Sequence, residues 1–361
     1  MHRIIRAGVL ATCILLGAGP DQVRAAAAAE ELAPIPHPLT MLLRDATAQR
    51  DLRLQPEQIK AVAAALDEVE LPLWQLRDFP TEQRNEPAEK LLETLRNRLA
   101  TILSTQQQTR LDQIVLQSRS IRGLVEPAVA EKLNLSIGQI ERMREVIAGL
   151  TQGMASLQQG GVTASEAARA RVLQGQAERN ALAVLDRDQQ RTLRILTGRA
   201  FDFSRVRQRA CRAPELRGVE TWINAGPVTL ADLRGNVVIV HFYTFGCINC
   251  IRNLPHYVAW QEHFAGRPVR LVGIHRPETQ GERVVEKVRE KAAETGLTHP
   301  IAIDNDSHNW DAWANNVWPA VYLIDKQGFV RYWWYGELNW QGAQGQRQMR
   351  AKIEQLLREE G

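Results

Sequence analysis

Apolar positions in the first half of the chain recur every three or four residues, which is the spacing of amphipathic helices. A clear example is the stripe of Ile59, Val62, Leu66, Val69, Leu73 and Leu76. Beyond residue 230 the pattern changes to short continuous apolar runs that alternate with helical stretches. The sequence therefore predicts an all-helical domain followed by an α/β domain.

A short Leu-x-x-x-Gln signature recurs in the helical half and indicates an internal repeat. It begins at Leu54, Leu103, Leu135 and Leu185, so alternate copies lie 81 and 82 residues apart. Shifted by 81 residues, the stripe at 59–76 falls on a second apolar stripe, which starts at Ile140. We therefore predict an all-helical domain over 30–205, built from a duplicated unit of about 80 residues.

Each signature has the composition of a helix start. Ser104, Ser136 and Asp186 are suited to cap a helix, and the Gln three residues later can reach back to the cap. Capping alone is one interpretation of the signature. The other is a resemblance to the short repeated motif of small helical envelope chaperones and metal-stress proteins. Since no His, Cys or carboxylate cluster there has metal-ligand spacing, we expect a recognition or assembly module.

The second half shows the pattern of a mixed sheet. The continuous, β-branched run at 236–243 predicts a central strand that is buried on both faces. Further strands are predicted at 269–274, 320–325 and 329–335, and helices at 282–294 and 346–358. Between the two halves, Pro214 and a series of arginines predict a solvated basic linker over 206–217, with contact to an anionic surface as the alternative.

Cys247 and Cys250 follow the predicted central strand at the start of a predicted helix. The free N–H groups and the dipole at a helix N-terminus stabilise a thiolate there, so Cys247 is predicted to attack. Cys250 lies one turn deeper and is predicted to resolve the mixed disulfide. The two cysteines together predict a redox-active disulfide, and we therefore expect catalysis at this pair.

Several motifs around the pair resemble the thioredoxin-like domain of the TlpA type, in its DipZ-like branch. They are the lead-in 228–235, the Cys247-Ile248-Asn249-Cys250 motif, and the segments 273–278, 304–306 and 318–325. The resemblance covers 214–361 and implies a three-layer α/β domain with a mixed sheet. It implies a protein thiol–disulfide oxidoreductase without a cofactor, acting with thiol or disulfide client proteins and a redox partner protein.

The resemblance also assigns the substrate site to Trp318 and Pro319. Thioredoxin-like folds place a cis proline beside the cysteine pair, and cis geometry directs the neighbouring backbone toward a bound peptide. Trp318 is expected to flank the pair as an apolar platform. Ordinary core packing is the alternative interpretation for its ring.

Two titratable residues are candidates for a proton relay. His241 lies six residues before Cys247, where thioredoxins carry a buried acid, and a histidine there can act as a base near neutral pH. A buried, neutral histidine that only packs is the alternative. Glu278 either lies near the pair or is a solvated loop acid. Asn253 stands where some relatives carry an acid, which argues against a carboxylate-assisted mechanism.

The N-terminus predicts export. Arg3 and Arg6 precede an apolar run at 7–19, and small residues follow, so 1–25 is predicted to be a cleaved signal peptide for the periplasm or cell envelope. The run is shorter than the roughly 20 residues that span a bilayer, and a retained anchor is therefore the alternative. We expect no membrane span after cleavage, while the oligomeric state stays open.

Composition and cysteine number restrict the other function classes. The 45 basic and 41 acidic residues of this 361-residue chain are intermixed, which argues against a nucleic-acid partner. A closed zinc site needs two more ligands than the pair supplies, so we predict no bound metal. Copper or haem-apoprotein handling through His256, His263 or His275 is the alternative, and a non-enzymatic adaptor is another. Cys211 is expected to be isolated or to form a mixed disulfide with another chain.

Overall fold

This computed structural model describes residues 35–158 and 164–360. It divides into two compact units, one ending at Gln208 and the other starting at Arg209. The predicted signal peptide at 1–25 lies outside the described residues. Within the described ranges, no helix is both long enough and apolar enough to cross a membrane.

Helices make up the first unit, as the apolar periodicity predicts. Their bounds are α1 (Pro38–Arg44), α2 (Ala46–Asp51), α3 (Pro56–Gln75), α4 (Thr81–Ile102), α5 (Thr105–Arg119), α6 (Pro127–Lys132), α7 (Ile137–Gln158), α8 (Ala164–Ala183) and α9 (Arg187–Thr197). The stripe on α3 lies in one apolar core, which also contains Leu95 and Phe203. The shifted stripe on α7 lies in a second core with Leu185.

The glutamines of the four helix starts form two matching pairs. Gln58 and Gln107 exchange amide hydrogen bonds of 2.8 and 3.0 Å, although 49 residues separate them. Gln139 and Gln189 do the same over 50 residues, at 2.7 and 3.1 Å. The two pairs are thus related by the spacing of 81 and 82 residues that the signature shows.

The same glutamines also complete helix caps. The Oε1 atoms accept backbone N–H groups at each helix start, in the pairs Gln58 with Gln55, Gln107 with Ser104, Gln139 with Ser136 and Gln189 with Asp186. Each glutamine therefore satisfies its own helix start and joins that start to another helix. These side chains hold the ends of distant helices together.

A mixed sheet forms the second unit. Its strands are β1 (Trp222–Ile223), β2 (Val237–Tyr243), β3 (Val269–His275), β4 (Ile301–Ile303), β5 (Ala320–Ile324) and β6 (Val330–Tyr335), and its helices are α10 (Ile248–His263), α11 (Val285–Glu294), α12 (His308–Ala312) and α13 (Gly345–Arg358). The strand order is β1-β4-β3-β2-β5-β6, with β2, β3 and β4 parallel and the other pairs antiparallel.

The central position predicted for β2 is confirmed, since β2 lies between β3 and β5. All seven of its residues are buried, because successive side chains enter two different packed layers. Phe242 contacts Trp310 and Trp313 around α12, at ring distances of 6.1 and 5.7 Å. Tyr243 lies in the core that contains Tyr257 of α10.

The structure differs from the sequence prediction where elements are short. The crossover helix α11 starts at Val285 rather than at 282, because a 3-10 turn occupies Gln280–Arg283. β1 and β4 contain two and three residues, and α12 contains five, so none is long enough to produce a periodic signal. These elements exist because tertiary contacts complete them.

Part of the expected linker is buried chain. Ala210 N donates to Val330 O, and Val330 N donates to Cys211 O, both at 2.9 Å. The Arg209 guanidinium lies 3.3 Å from the Asp325 carboxylate. Cys211 is fully buried. The segment differs from a solvated linker because the edge strand β6 offers backbone groups that Ala210 and Cys211 satisfy.

Candidate active site

The cysteine pair lies at the junction between strand β2 and helix α10. β2 ends at Tyr243, and the short segment Thr244–Gly246 leads into Cys247, which is the N-cap of α10. The Cys250 N–H donates to Cys247 Sγ at 3.4 Å, and the Cys247 N–H donates to Thr244 O at 3.4 Å. The geometry thus places Cys247 at the positive end of a 16-residue helix.

The two sulfurs differ in burial and in charge. Cys247 is partly exposed, whereas Cys250 is completely buried. Hydrogen bonds from the Cys250 thiol and from the N–H groups of Cys250 and Asn249 lower the pKa of Cys247 to about 7. Burial, together with the hydrogen bond and charge of Cys247, raises the pKa of Cys250 far above its usual value. The arrangement therefore gives one accessible thiolate and one protected thiol.

His241 is packed in the core and neutral. Its ring stacks on Tyr257 at 4.2 Å between centroids, and its Nε2 lies 2.8 Å from Nε2 of His299. Burial, and secondarily the charge of His299, lowers the pKa of His241 well below 6.5. Burial also lowers the pKa of His299 to about 4. His241 thus contacts a second buried histidine, and no sequence pattern singles out His299.

Glu278 is exposed, but its charge acts on both cysteines. It is the last of the influences that raise the pKa of Cys247, and it also raises that of Cys250. The carboxylate that lies against the active-site segment is that of Glu282. Its Oε1 approaches so closely that a Cβ at Gly246 would be 1.9 Å away.

Glu282 is buried and holds the loop that carries Glu278. Its Oε2 accepts the N–H groups of Glu278 at 2.7 Å and Thr279 at 2.9 Å. Burial opposes its charge, but these backbone hydrogen bonds outweigh that cost and lower the pKa of Glu282. Glu282 was not among the residues predicted from the sequence. The signal that could have found it is the capping-box pattern Thr279-x-x-Glu282.

Trp318 and Pro319 lie at the start of β5. The peptide bond between them is cis, and the Pro319 carbonyl accepts the Gly336 N–H at 2.7 Å. The Trp318 ring is partly buried and lies 4.2 Å from Trp310, with the Arg276 guanidinium 4.8 Å from its centroid. Trp318 therefore packs in a cationic and aromatic stack, and it also borders the same apolar core that Cys247 borders.

Asn253 has a structural position. Its Nδ2 donates to Gly336 O at 3.1 Å, and its Oδ1 accepts the Leu338 N–H at 2.9 Å. The side chain thus ties α10 to the segment after β6. This use of the amide explains why an uncharged residue fits there.

The histidines considered as metal ligands have different partners. His256 lies 3.3 Å from the Asn339 amide, His263 lies 3.4 Å from Glu354, and His275 lies 3.4 Å from the Thr244 hydroxyl. In the described ranges, no group of three or more His, Cys, Asp or Glu side chains is arranged to hold a metal ion.

Comparisons with known proteins find relatives for the C-terminal part of the chain. Residues 211–333 match the AhpC/TSA family. Protein DipZ of Mycobacterium tuberculosis (strain CDC 1551 / Oshkosh) is 41% identical over 128 residues, which are 35% of this chain and 18% of DipZ. The thiol-disulfide oxidoreductase YkuV of Bacillus subtilis (strain 168) is 29% identical over 147 residues, which are 40% of this chain and 94% of YkuV.

A solved thioredoxin-like protein in its oxidized form is 28% identical, with a TM-score of 0.36; the match covers 40% of this chain and 94% of that one. The chain spans only 18% of the length of DipZ. The family match begins at Cys211, so the helical unit lies outside it. The C-terminal part of this chain is a thioredoxin-like domain of the AhpC/TSA family, with homologues among DipZ and the thiol-disulfide oxidoreductases.

Proposed function

We propose that this chain is an exported thiol–disulfide oxidoreductase that acts on protein disulfides. The observation that carries the proposal is the difference between the two sulfurs at the start of α10. Cys247 is accessible and has a pKa of about 7, whereas Cys250 is buried and its pKa is raised. Two-step disulfide exchange requires this arrangement, in which one cysteine attacks as a thiolate and the other stays protonated until the second step.

The reaction follows from this difference. The Cys247 thiolate attacks one sulfur of a client disulfide, that S–S bond breaks, and one client thiolate leaves. Cys250 then loses its proton and attacks Cys247 Sγ, which releases the second client thiolate. The client gains two electrons and the pair becomes a disulfide. The reverse sequence donates a disulfide to a client dithiol, and the redox partner protein sets the direction.

The surface around Cys247 suits a polypeptide client. Ile248 and Ile251, on the first turn of α10, are 57% and 40% exposed. Phe245 and Trp318 are partly exposed beside the same core. Apolar side chains around an exposed sulfur favour a protein client over a small polar thiol.

The proposal assigns recognition or assembly to the helical unit. In this unit, glutamine side chains join one helix to another. Its described residues contain no cluster of side chains that could hold a metal ion. Export is proposed from the charged and apolar pattern of residues 1–25, which matches a secretory signal. An oxidising compartment is where such disulfide chemistry persists.

Trapping tests the assignment of the two sulfurs. The full chain with Cys250→Ser is expected to accumulate a mixed disulfide with a disulfide-bonded client protein, because the resolving thiol is gone. The full chain with Cys247→Ser is the matched control and is expected to form no adduct. Mass spectrometry after acid quenching identifies the linked residue.

The opposite pattern, with adducts on Cys250 only, would overturn the assignment. If neither variant nor the native pair exchanges, the metal-handling or adaptor alternatives take its place. Copper titration of the native chain against Cys247→Ala/Cys250→Ala then separates those two, because only metal handling requires the thiols.

A further inference from the structure

A row of hydrogen-bonded side chains lies near the C-terminal end of α10, and none of its residues takes part in the exchange steps described above. His241 Nε2 lies 2.8 Å from His299 Nε2, and His299 Nδ1 lies 3.0 Å from Gln261 Oε1. Gln261 Nε2 in turn donates to the Thr298 hydroxyl. The row therefore runs from a fully buried histidine on β2 to a partly exposed glutamine on α10.

The partners fix the protonation of each ring. Because Gln261 uses its NH₂ group on Thr298, its Oε1 accepts from His299 Nδ1, which must carry a proton. Neutral His299 then has a bare Nε2, which accepts the proton of His241 Nε2. His241 consequently presents an unprotonated Nδ1, a buried acceptor with no hydrogen-bond partner among the described residues.

His241 and the buried sulfur share two tyrosine neighbours. His241 contacts the rings of Tyr243, at 5.1 Å, and Tyr257. Both tyrosines lie in one core with Cys250, and burial, followed by the charge of Cys250, raises the pKa of each. Tyr243 Oη is also buried without a partner among the described residues. Buried polar atoms without partners are costly, so each calls for an explanation, and a part in proton transfer is one.

The neighbouring strand leaves room for the histidine pair. β3 places Gly273 directly opposite His241. A Cβ at Gly273 would lie 3.1 Å from His241 Nε2, the atom that bonds to His299. Glycine at this register position therefore allows the ring to approach β3 and reach His299.

The outer end of the row opens at the surface. Gln261 and His299 line a cleft of about 410 Å³, together with Glu262, Gly266 and Arg270. The last three are exposed, so the cleft faces solvent on a side formed by α10, β3 and the start of β4.

We propose that His299 is a positioning residue of the resolving step, which receives through His241 the proton that Cys250 loses and releases it to solvent at the cleft beside Gln261. The proposal rests on the proposed function. Cys250 gives its proton toward His241 Nδ1, the proton on His241 Nε2 moves to His299 Nε2, and the Cys250 sulfur attacks Cys247 Sγ. The cationic His299 then loses a proton to water in the cleft.

The groups that face His241 permit this path. They are Tyr243 on β2, Tyr257 on α10 and His299 ahead of β4, with Gly273 contributing no side chain from β3. Burial holds both histidines neutral at pH 7, since it lowers the pKa of each. Formation of the mixed disulfide removes the Cys247 charge that raises the pKa of Cys250, so proton loss becomes easier at the moment it is needed.

The test separates the two steps of exchange in the reduced full chain mixed with glutathione disulfide. Quenched samples show glutathione attached to Cys247 in the first step and the internal disulfide in the second. In His299→Gln and His241→Gln, the first step is expected to stay within twofold of the native rate. The second is expected to slow at least tenfold at pH 7, toward the range of about 10²–10⁴ for lost acid–base catalysis.

The pH profile distinguishes a relay from a packing role. The deficit of His299→Gln is expected to shrink as pH rises, because hydroxide replaces the missing acceptor. His263 lies at the exposed end of α10, the helix that carries Gln261, and His263→Gln is the matched control. In this variant the second step is expected to proceed at the native rate.

A native resolving rate in His299→Gln, or a deficit that is constant with pH, would overturn the relay. If both histidine variants unfold, Gln261→Leu decides: it removes the acceptor of His299 Nδ1, and an unchanged second step would contradict the proposal. If the native chain forms no glutathione adduct, the proposed exchange function itself fails, which is a different outcome.

Discussion

The helix starts of the two units share one capping geometry, which is structural in the first unit and reactive in the second. In the helical unit, the Ser104 hydroxyl accepts the N–H of Gln107 at 3.3 Å, three residues into α5. In the redox unit, Cys247 Sγ accepts the N–H of Cys250 at 3.4 Å, also three residues on. The difference lies in the side chain of the third residue, because Gln107 Oε1 accepts the Ser104 N–H in return whereas Cys250 carries a thiol.

This difference decides whether a helix start stabilises or reacts. In α5 the capping box satisfies two of the free backbone donors with oxygen atoms, so fewer donors remain to stabilise an added charge. In α10 a weakly accepting sulfur occupies the cap, so the donors are available to a thiolate and lower the pKa of Cys247 to about 7. One geometry thus serves structure in the first unit and chemistry in the second.

Cys247→Ser converts the reactive helix start into the structural type, and it has the largest expected effect. Disulfide exchange by the full chain should disappear, because a hydroxyl does not form a thiolate. The fold should persist, since the Ser hydroxyl accepts the same Cys250 N–H, and the free energy of unfolding should be unchanged or raised by up to about 1 kcal/mol. Insulin reduction and urea unfolding measure the two quantities; retained exchange would contradict the account.

Gln139→Ala removes the hydrogen bonds of a structural helix start, that of α7. It leaves the Ser136 N–H, the Val184 carbonyl and the Gln189 amide without their partner, so the free energy of unfolding should fall by about 1–3 kcal/mol. Disulfide exchange at Cys247 should stay at the native rate. Gln152→Ala, at an exposed position on the same helix, is the control and should change stability by less than about 0.5 kcal/mol. Equal losses in the two variants would show that the pair contributes nothing.

The pH profile of alkylation separates the two sulfurs. The Cys247 thiolate is populated above a pKa of about 7, so its reaction with iodoacetamide should rise with pH and reach half its maximum near pH 7. For an unperturbed cysteine thiol, the half-maximal reaction would lie at about pH 8.5. Cys250 should not react in the folded, reduced chain, because it is buried. Peptide mapping follows each site, and a Cys247 midpoint near 8.5 would contradict the stabilised thiolate.

Glu278→Gln should have the smallest effect. Removal of its charge takes away one of the influences that raise the pKa of Cys247, so the alkylation midpoint should move to lower pH by a few tenths of a unit. The shift should shrink with added salt, since Glu278 is exposed. A slower exchange with an unmoved midpoint would instead support Glu278 as the proton relay that the sequence suggests.

The sequence predicts what is local and misses what is assembled over distance. The run that forms β2 and the Cys247 position follow from adjacent residues, as do the three caps at Ser104, Ser136 and Asp186. The pairing of Gln58 with Gln107 does not, because 49 residues separate them and only the fold brings them together. His299 was missed for the same reason, since His241, its partner, lies 58 residues away on another element. Glu282 has a local signal in its capping box with Thr279, but the fold alone brings it against Gly246.

The most direct test of the central claim is the redox equilibrium of the full chain with glutathione, read by the mass added when free thiols are alkylated. The account predicts that Cys247 and Cys250 lose their alkylation together, as one two-electron transition. A midpoint near about −270 mV would indicate a client reductase and one near about −120 mV a disulfide donor. If the two cysteines stay alkylated at every glutathione ratio, or titrate independently of each other, the claim that they form one redox couple is wrong.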